Sequence, residues 1–185
     1  MTALTRLHDT IFAPLDRADW ILPTLARFLF AAVLAVYFWI SGLTKLGEGV
    51  LGIFQPSLGA YAQIFPRTME AVGYDVSQLG TYHWAVVTLG TIAEFVLPLL
   101  IIAGLFTRLA SLGMIGFIIV QSLTDLNGHG KWGDGLVMGA WFDAPSGSLI
   151  MDQRSLWVFL LIVLVVKGAG PLSFDRALAR PKAVD

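Results

Sequence analysis

The chain contains no cysteine. That excludes disulfides, thiolate clusters, covalent haem attachment through a CxxCH pair and dithiol chemistry by this chain itself. Charge is scarce too: 14% of the 185 residues are charged, against roughly 25% in an average soluble domain. The net charge is −1, so no nucleic-acid partner and no polybasic lipid anchor are expected. No Walker loop, HExxH or GxSxG run occurs, which leaves phosphate-cradling, zinc-peptidase and nucleophile-elbow chemistry without a motif.

What the chain has instead is apolar length: 56% hydrophobic residues and a mean hydropathy of +0.74. Four segments approach the ~20 residues that a ~30 Å hydrocarbon core requires. They run over about 22–46, 83–105, 107–126 and 155–171. At that depth the backbone must satisfy its own hydrogen bonds, so helix is the expected state. Asp9, Asp16 and Asp19 precede the first apolar segment, which argues against a cleavable signal and for a retained helix. Leu4, Leu7, Ile11, Phe12 and Leu15 recur at roughly helical spacing and predict an amphipathic helix on the bilayer surface. Arg27 and Lys45, at the two ends of the first span, are long enough to snorkel.

Orientation follows from Lys and Arg. Eight lie in the N-terminal region (Arg6, Arg17, Arg27), the tight second turn (Arg108) and the C-terminal end (Lys167, Arg176, Arg180, Lys182). Four lie in the longer loops: Lys45, Arg67, Lys131 and Arg154. The expected fold is therefore an all-α integral membrane domain over residues 1–185, an antiparallel four-transmembrane-helix bundle with an N-terminal amphipathic helix. Its termini face the cytoplasm across a bacterial inner membrane, and aromatic-rich periplasmic loops cap it. Gly90, Gly113 and Gly116 predict close helix approach.

Glu94, near the middle of the second span, is the sharpest chemical signal. An ionised carboxylate there costs at least ~2.5 kcal/mol on insertion scales, so it must be protonated, paired or facing a wet cavity. A ligand or proton site and a structural interhelical hydrogen bond are the two readings. His83 precedes Glu94 by eleven residues, about 16 Å along the same helical side, with Thr91 between them. That polar face predicts a pocket opening to the outer leaflet. Gln121 and Asp125 share a face of the third span, and a Lys45–Asp125 pair is expected near the interface. No metal site is expected; His83 with His129 is the weak alternative.

Three stretches resemble the DoxX family of small four-helix membrane proteins. The first is Ser41-Gly42-Leu43-Thr44-Lys45, similar to a Gly-x-x-Lys motif. The second runs from Glu94 through Pro98 to Gly104-Leu105-Phe106-Thr107-Arg108. The third is Lys167 to Arg176, containing Gly170-Pro171-Leu172-Ser173 and Asp175. Some DoxX relatives are associated with thiosulfate:quinone oxidoreduction, others with redox-stress or metallopeptide systems, and the family has no agreed catalytic set. Gly42, Lys45, Glu94, Arg108, Gly170 and Pro171 thus match motif positions without inherited roles. The resemblance implies a membrane subunit of a redox-linked complex that contacts quinone or a partner protein and carries no tightly bound cofactor of its own. Its expected partners are the bilayer, other membrane or periplasmic subunits, and a homo-oligomer is open. A non-catalytic scaffold subunit and a small-solute or proton conductor centred on Glu94 are the alternatives.

Overall fold

Ala26, Phe30, Leu34 and Phe38 recur every four residues along the first apolar segment, and all four are buried. In the computed structural model, which describes residues 3–16 and 18–179, they form one stripe of a long helix. Arg17, Arg180 and Lys182, which enter the charge count, lie outside the described residues, as do the side chains of Leu4 and Asp16. Among the described residues every regular element is helical. The elements are α1 (Ala3–Asp16), α2 (Ile21–Lys45), α3 (Leu58–Ile64), α4 (Pro66–Ala71), α5 (Thr81–Ala103), α6 (Thr107–Gly128), α7 (Leu149–Lys167) and α8 (Phe174–Leu178), with short 3-10 turns between them. Helices α2, α5, α6 and α7 are each long and apolar enough to cross a membrane.

The core lies among these four. The α2 stripe packs with Ile101 of α5, Ala110, Met114 and Ile118 of α6, and Leu161 and Leu164 of α7. Residues four apart drift about 40° per step in a regular α-helix. The π-type turn at Ala31–Ala35 widens α2 and slows that drift, so the stripe continues into Gly42 and Lys45, both buried. Lys45 therefore points inward; neither it nor Arg27 snorkels as the sequence suggested. In lipid, such contacts gain packing rather than transfer free energy, so polar links between helices carry added weight.

Helix α7 begins at Leu149, six residues ahead of the expected Ser155, and its first turns are of π type. The polar run Asp152-Gln153-Arg154 reads as loop, yet Arg154 is buried inside this helix. The helix stops at Lys167 because Gly168 takes φ +81°. At the other end of the core, α3 and α4 fold back onto α5: Ala60, Tyr61 and Met69 bury against Val87 as a small second core. Helix α1 leaves Leu7, Ile11, Phe12 and Leu15 exposed.

Candidate functional site

Lys45 and Glu94 meet between α2 and α5. The Lys45 ammonium donates to both carboxylate oxygens of Glu94 at 2.9 Å, and to the Ser41 hydroxyl at 2.8 Å and carbonyl at 3.1 Å. The Ser41 hydroxyl in turn donates to Glu94 Oε1 at 2.8 Å. The pair is removed from solvent, with Lys45 4% and Glu94 1% exposed. Gly42 makes this approach feasible: an added Cβ would lie 2.7 Å from the Phe95 ring. Just beyond, the Trp39 indole N–H donates to the Phe95 carbonyl at 3.3 Å. Glu94 thus faces the interior and is paired.

The expected Lys45–Asp125 pair does not form. Lys45 is committed to Glu94, and Asp125 lies 2.7 Å from the Arg154 guanidinium. Arg154, 3% exposed, also donates to the Ser122 hydroxyl at 3.0 Å. The unforeseen start of α7 supplies this cation, which is why the sequence assigned Asp125 the wrong partner.

An apolar cleft of about 270 Å³ lies between α5 and α6 and reaches the Lys45–Glu94 pair and the Asp125 carboxylate. Lys45, Glu94, Gln121 and Asp125 all line it. The Gln121 amide donates to the Tyr37 hydroxyl at 3.1 Å, while its oxygen is buried with no hydrogen-bond partner among the described residues. Gly90 and Gly116 also line the cleft, and they do not serve the close packing expected of them. A Cβ added at Gly116 meets nothing within 4 Å, and at Gly90 only Ile64 at 4.0 Å. Gly113 alone of the three is tight, 3.2 Å from Leu97.

The polar face from His83 through Thr91 does not line this cleft. The first loop covers its His83 end, where the Phe65 ring packs edge-on against His83 at 4.8 Å. Thr91 is buried and donates to its own helix, to the Val87 carbonyl at 2.8 Å. His129 is exposed and lies 3.0 Å from the Gln63 carbonyl. Among the described residues no three His, Asp or Glu side chains gather as a metal site. The run Gly128-His129-Gly130-Lys131-Trp132-Gly133 has GxGxxG spacing, but it follows a helix instead of a strand, so the dinucleotide fingerprint lacks its context.

The remaining motif positions gather about the turn joining α5 to α6, ten residues or about 15 Å along α5 from Glu94. Gly104 takes φ +69° there, and Leu105 N–H bonds back to Leu100 at 3.0 Å, a Schellman-type stop. Phe106 follows with φ +49°, a costly conformation for a side chain. Asp175 compensates by accepting from Phe106 N at 2.7 Å and Thr107 N at 2.9 Å, donors that the start of α6 leaves free. Burial works to raise the Asp175 carboxyl, but these N–H groups and the Arg27 charge outweigh it and hold its pKa below the ordinary aspartate value. Arg27 donates to the carbonyls of Ile101, Ile102, Ala169 and Leu172. Arg108 donates to the Val166 carbonyl at 3.2 Å. Gly170 and Pro171 form the bend that brings these carbonyls and Asp175 back to the turn. This end is a clamp built from backbone partners.

A family model described as DoxX matches residues 24–124, more than half of the chain. The chain belongs to the DoxX family. With its four apolar helices it is a multi-pass membrane protein. No curated protein and no solved structure matches it. Within the DoxX match fall Arg27, Gly42, Lys45, Glu94 and Arg108, so the ion pair and part of the clamp are family territory. Arg154 and Asp175 lie beyond it.

Proposed function

We propose that this DoxX protein is the membrane subunit of a redox-linked complex and holds a quinone ring at the Lys45–Glu94 pair. The observation that carries this reading is an apolar cleft ending on a buried ion pair. Small-molecule sites are mostly apolar with a few convergent polar groups. A quinone carbonyl accepts a hydrogen bond from the Lys45 ammonium or the Gln121 amide. Reduction to the quinol takes two electrons, supplied by a partner subunit, and two protons, both drawn ultimately from water; the Lys45 ammonium delivers the one for the carbonyl it holds and is reprotonated by way of the Glu94 carboxylate. The chain crosses a bacterial inner membrane as an antiparallel bundle with both termini cytoplasmic, supported by the eight-to-four Lys and Arg asymmetry. The first and third loops then cap the periplasmic side, where further subunits dock.

The test is quinone extracted from the full-length protein purified in mild detergent, with folded yield measured in parallel. Wild type is expected to carry quinone, and the charge-free double variant Lys45→Met/Glu94→Leu to fold but come out empty. Wild-type protein that neither retains nor takes up quinone ends this reading. A stoichiometric larger complex would then favour the scaffold role, and proton flux into liposomes the conductor.

A further inference from the structure

The cleft is open beside the middle of α6, a helix long and apolar enough to cross a membrane. Gly113 and Gly116 are exposed and sit near the middle of α6, and Val120 one turn on is 61% exposed. In a membrane-spanning helix, a cavity that opens sideways at that depth opens to hydrocarbon. We infer that the cleft is loaded laterally from the bilayer, through the gap that Gly90 and Gly116 leave between α5 and α6. Its occupant is a lipophilic molecule with a small carbonyl-bearing ring and a single linear tail. The ring goes to the Lys45–Glu94 end, and the tail runs out past Gly116 into lipid. This deepens the quinone reading and rests on it.

Three observations converge. A helical glycine loses more conformational freedom on folding than alanine and so weakens its helix; one that packs against nothing calls for another reason. Gly116 has no neighbour within 4 Å of an added Cβ, and Gly90 has only Ile64 at 4.0 Å, whereas Gly42 is tight against Phe95. The walls between mouth and ion pair are apolar, supplied by Leu97, Phe117 and Val120. The volume of 270 Å³ falls just below the ~300–1,000 Å³ of drug-sized sites. That suits a ring and the first part of one chain, and is too little for a two-chain phospholipid.

Because a Cβ added at residue 116 meets nothing within 4 Å, the backbone there tolerates a side chain, and Gly116→Leu should fold while blocking the mouth. The experiment compares two probes on the full chain. One is a prenyl-tailed quinone supplied in the lipid of a nanodisc. The other is the tail-less ring added from water to detergent-solubilised protein. For Gly116→Leu, affinity for the tailed quinone should fall about tenfold or more, while the tail-less ring binds within about twofold of wild type. Gly116→Ala should change both by about twofold or less. If Gly116→Leu binds the tailed quinone as wild type does, the lateral route is wrong while the quinone site stands. If wild type binds neither probe, both readings fall. Equal loss of both probes in Gly116→Leu, with the fold intact by circular dichroism, also overturns the route, because the residue would then shape the ring site itself.

Discussion

Removing Lys45 alone should be among the most damaging single changes in this protein. With ammonium and carboxylate 2.9 Å apart, their attraction at an effective dielectric of 20 is about 6 kcal/mol. Most of that offsets the cost of taking both charges out of water. Breaking the pair by deleting one partner leaves the other charge uncompensated, at a net cost of about 3–5 kcal/mol. Lys45→Met also strips the Ser41 carbonyl of its ammonium contact. Lys45→Met should therefore lose about 3–5 kcal/mol, whereas Lys45→Met/Glu94→Leu, which leaves no charge behind, should return to within about 1 kcal/mol of wild type or exceed it. The assay is reversible unfolding in mixed micelles of the wild type, both single variants and the double variant, analysed as a double-mutant cycle. A coupling energy below about 0.5 kcal/mol would falsify the claim that a charged pair joins α2 to α5.

Three further outcomes are expected. Asp175→Ala should cost about 1–2 kcal/mol by uncapping α6. The Asp175 pKa is depressed in the folded state, so its contribution is present above the ordinary aspartate pKa and is lost as pH falls through the lower folded value; an acid melt in which Asp175→Ala behaves as wild type at every pH contradicts this. Gly42→Val should destabilise by about 1–3 kcal/mol through overpacking against Phe95, with Phe95→Leu restoring part of the loss; thermal midpoints of the three variants decide it. Reporter fusions after Arg108 and at the C-terminus should read as cytoplasmic, and fusions near Ser57 and Ser146 as periplasmic; a cytoplasmic signal from either long loop overturns the proposed topology.

The all-helical architecture was legible from hydropathy alone, because in a membrane only a helix hides its own backbone polar groups over twenty apolar residues. The importance of Glu94 was legible for a related reason: a carboxylate at mid-span must find a partner. Its partner was legible in principle as well. Lys45 continues the stripe Ala26, Phe30, Leu34, Phe38 and Gly42, but its place at the end of the first span invited a snorkelling assignment. Other features needed the tertiary structure. Asp125 pairs with Arg154 only because α7 starts six residues early, through a polar stretch whose local pattern is that of a loop. The His83–Glu94 face shares one helical side, yet helical phase says nothing about what covers it, and the first loop lays Phe65 over His83. Glycines at 90 and 116 look alike in sequence whether they bring two helices together or hold them open. Only the positions of the facing side chains separate those cases, since spacing along a chain fixes direction around a helix but not distance to its neighbour.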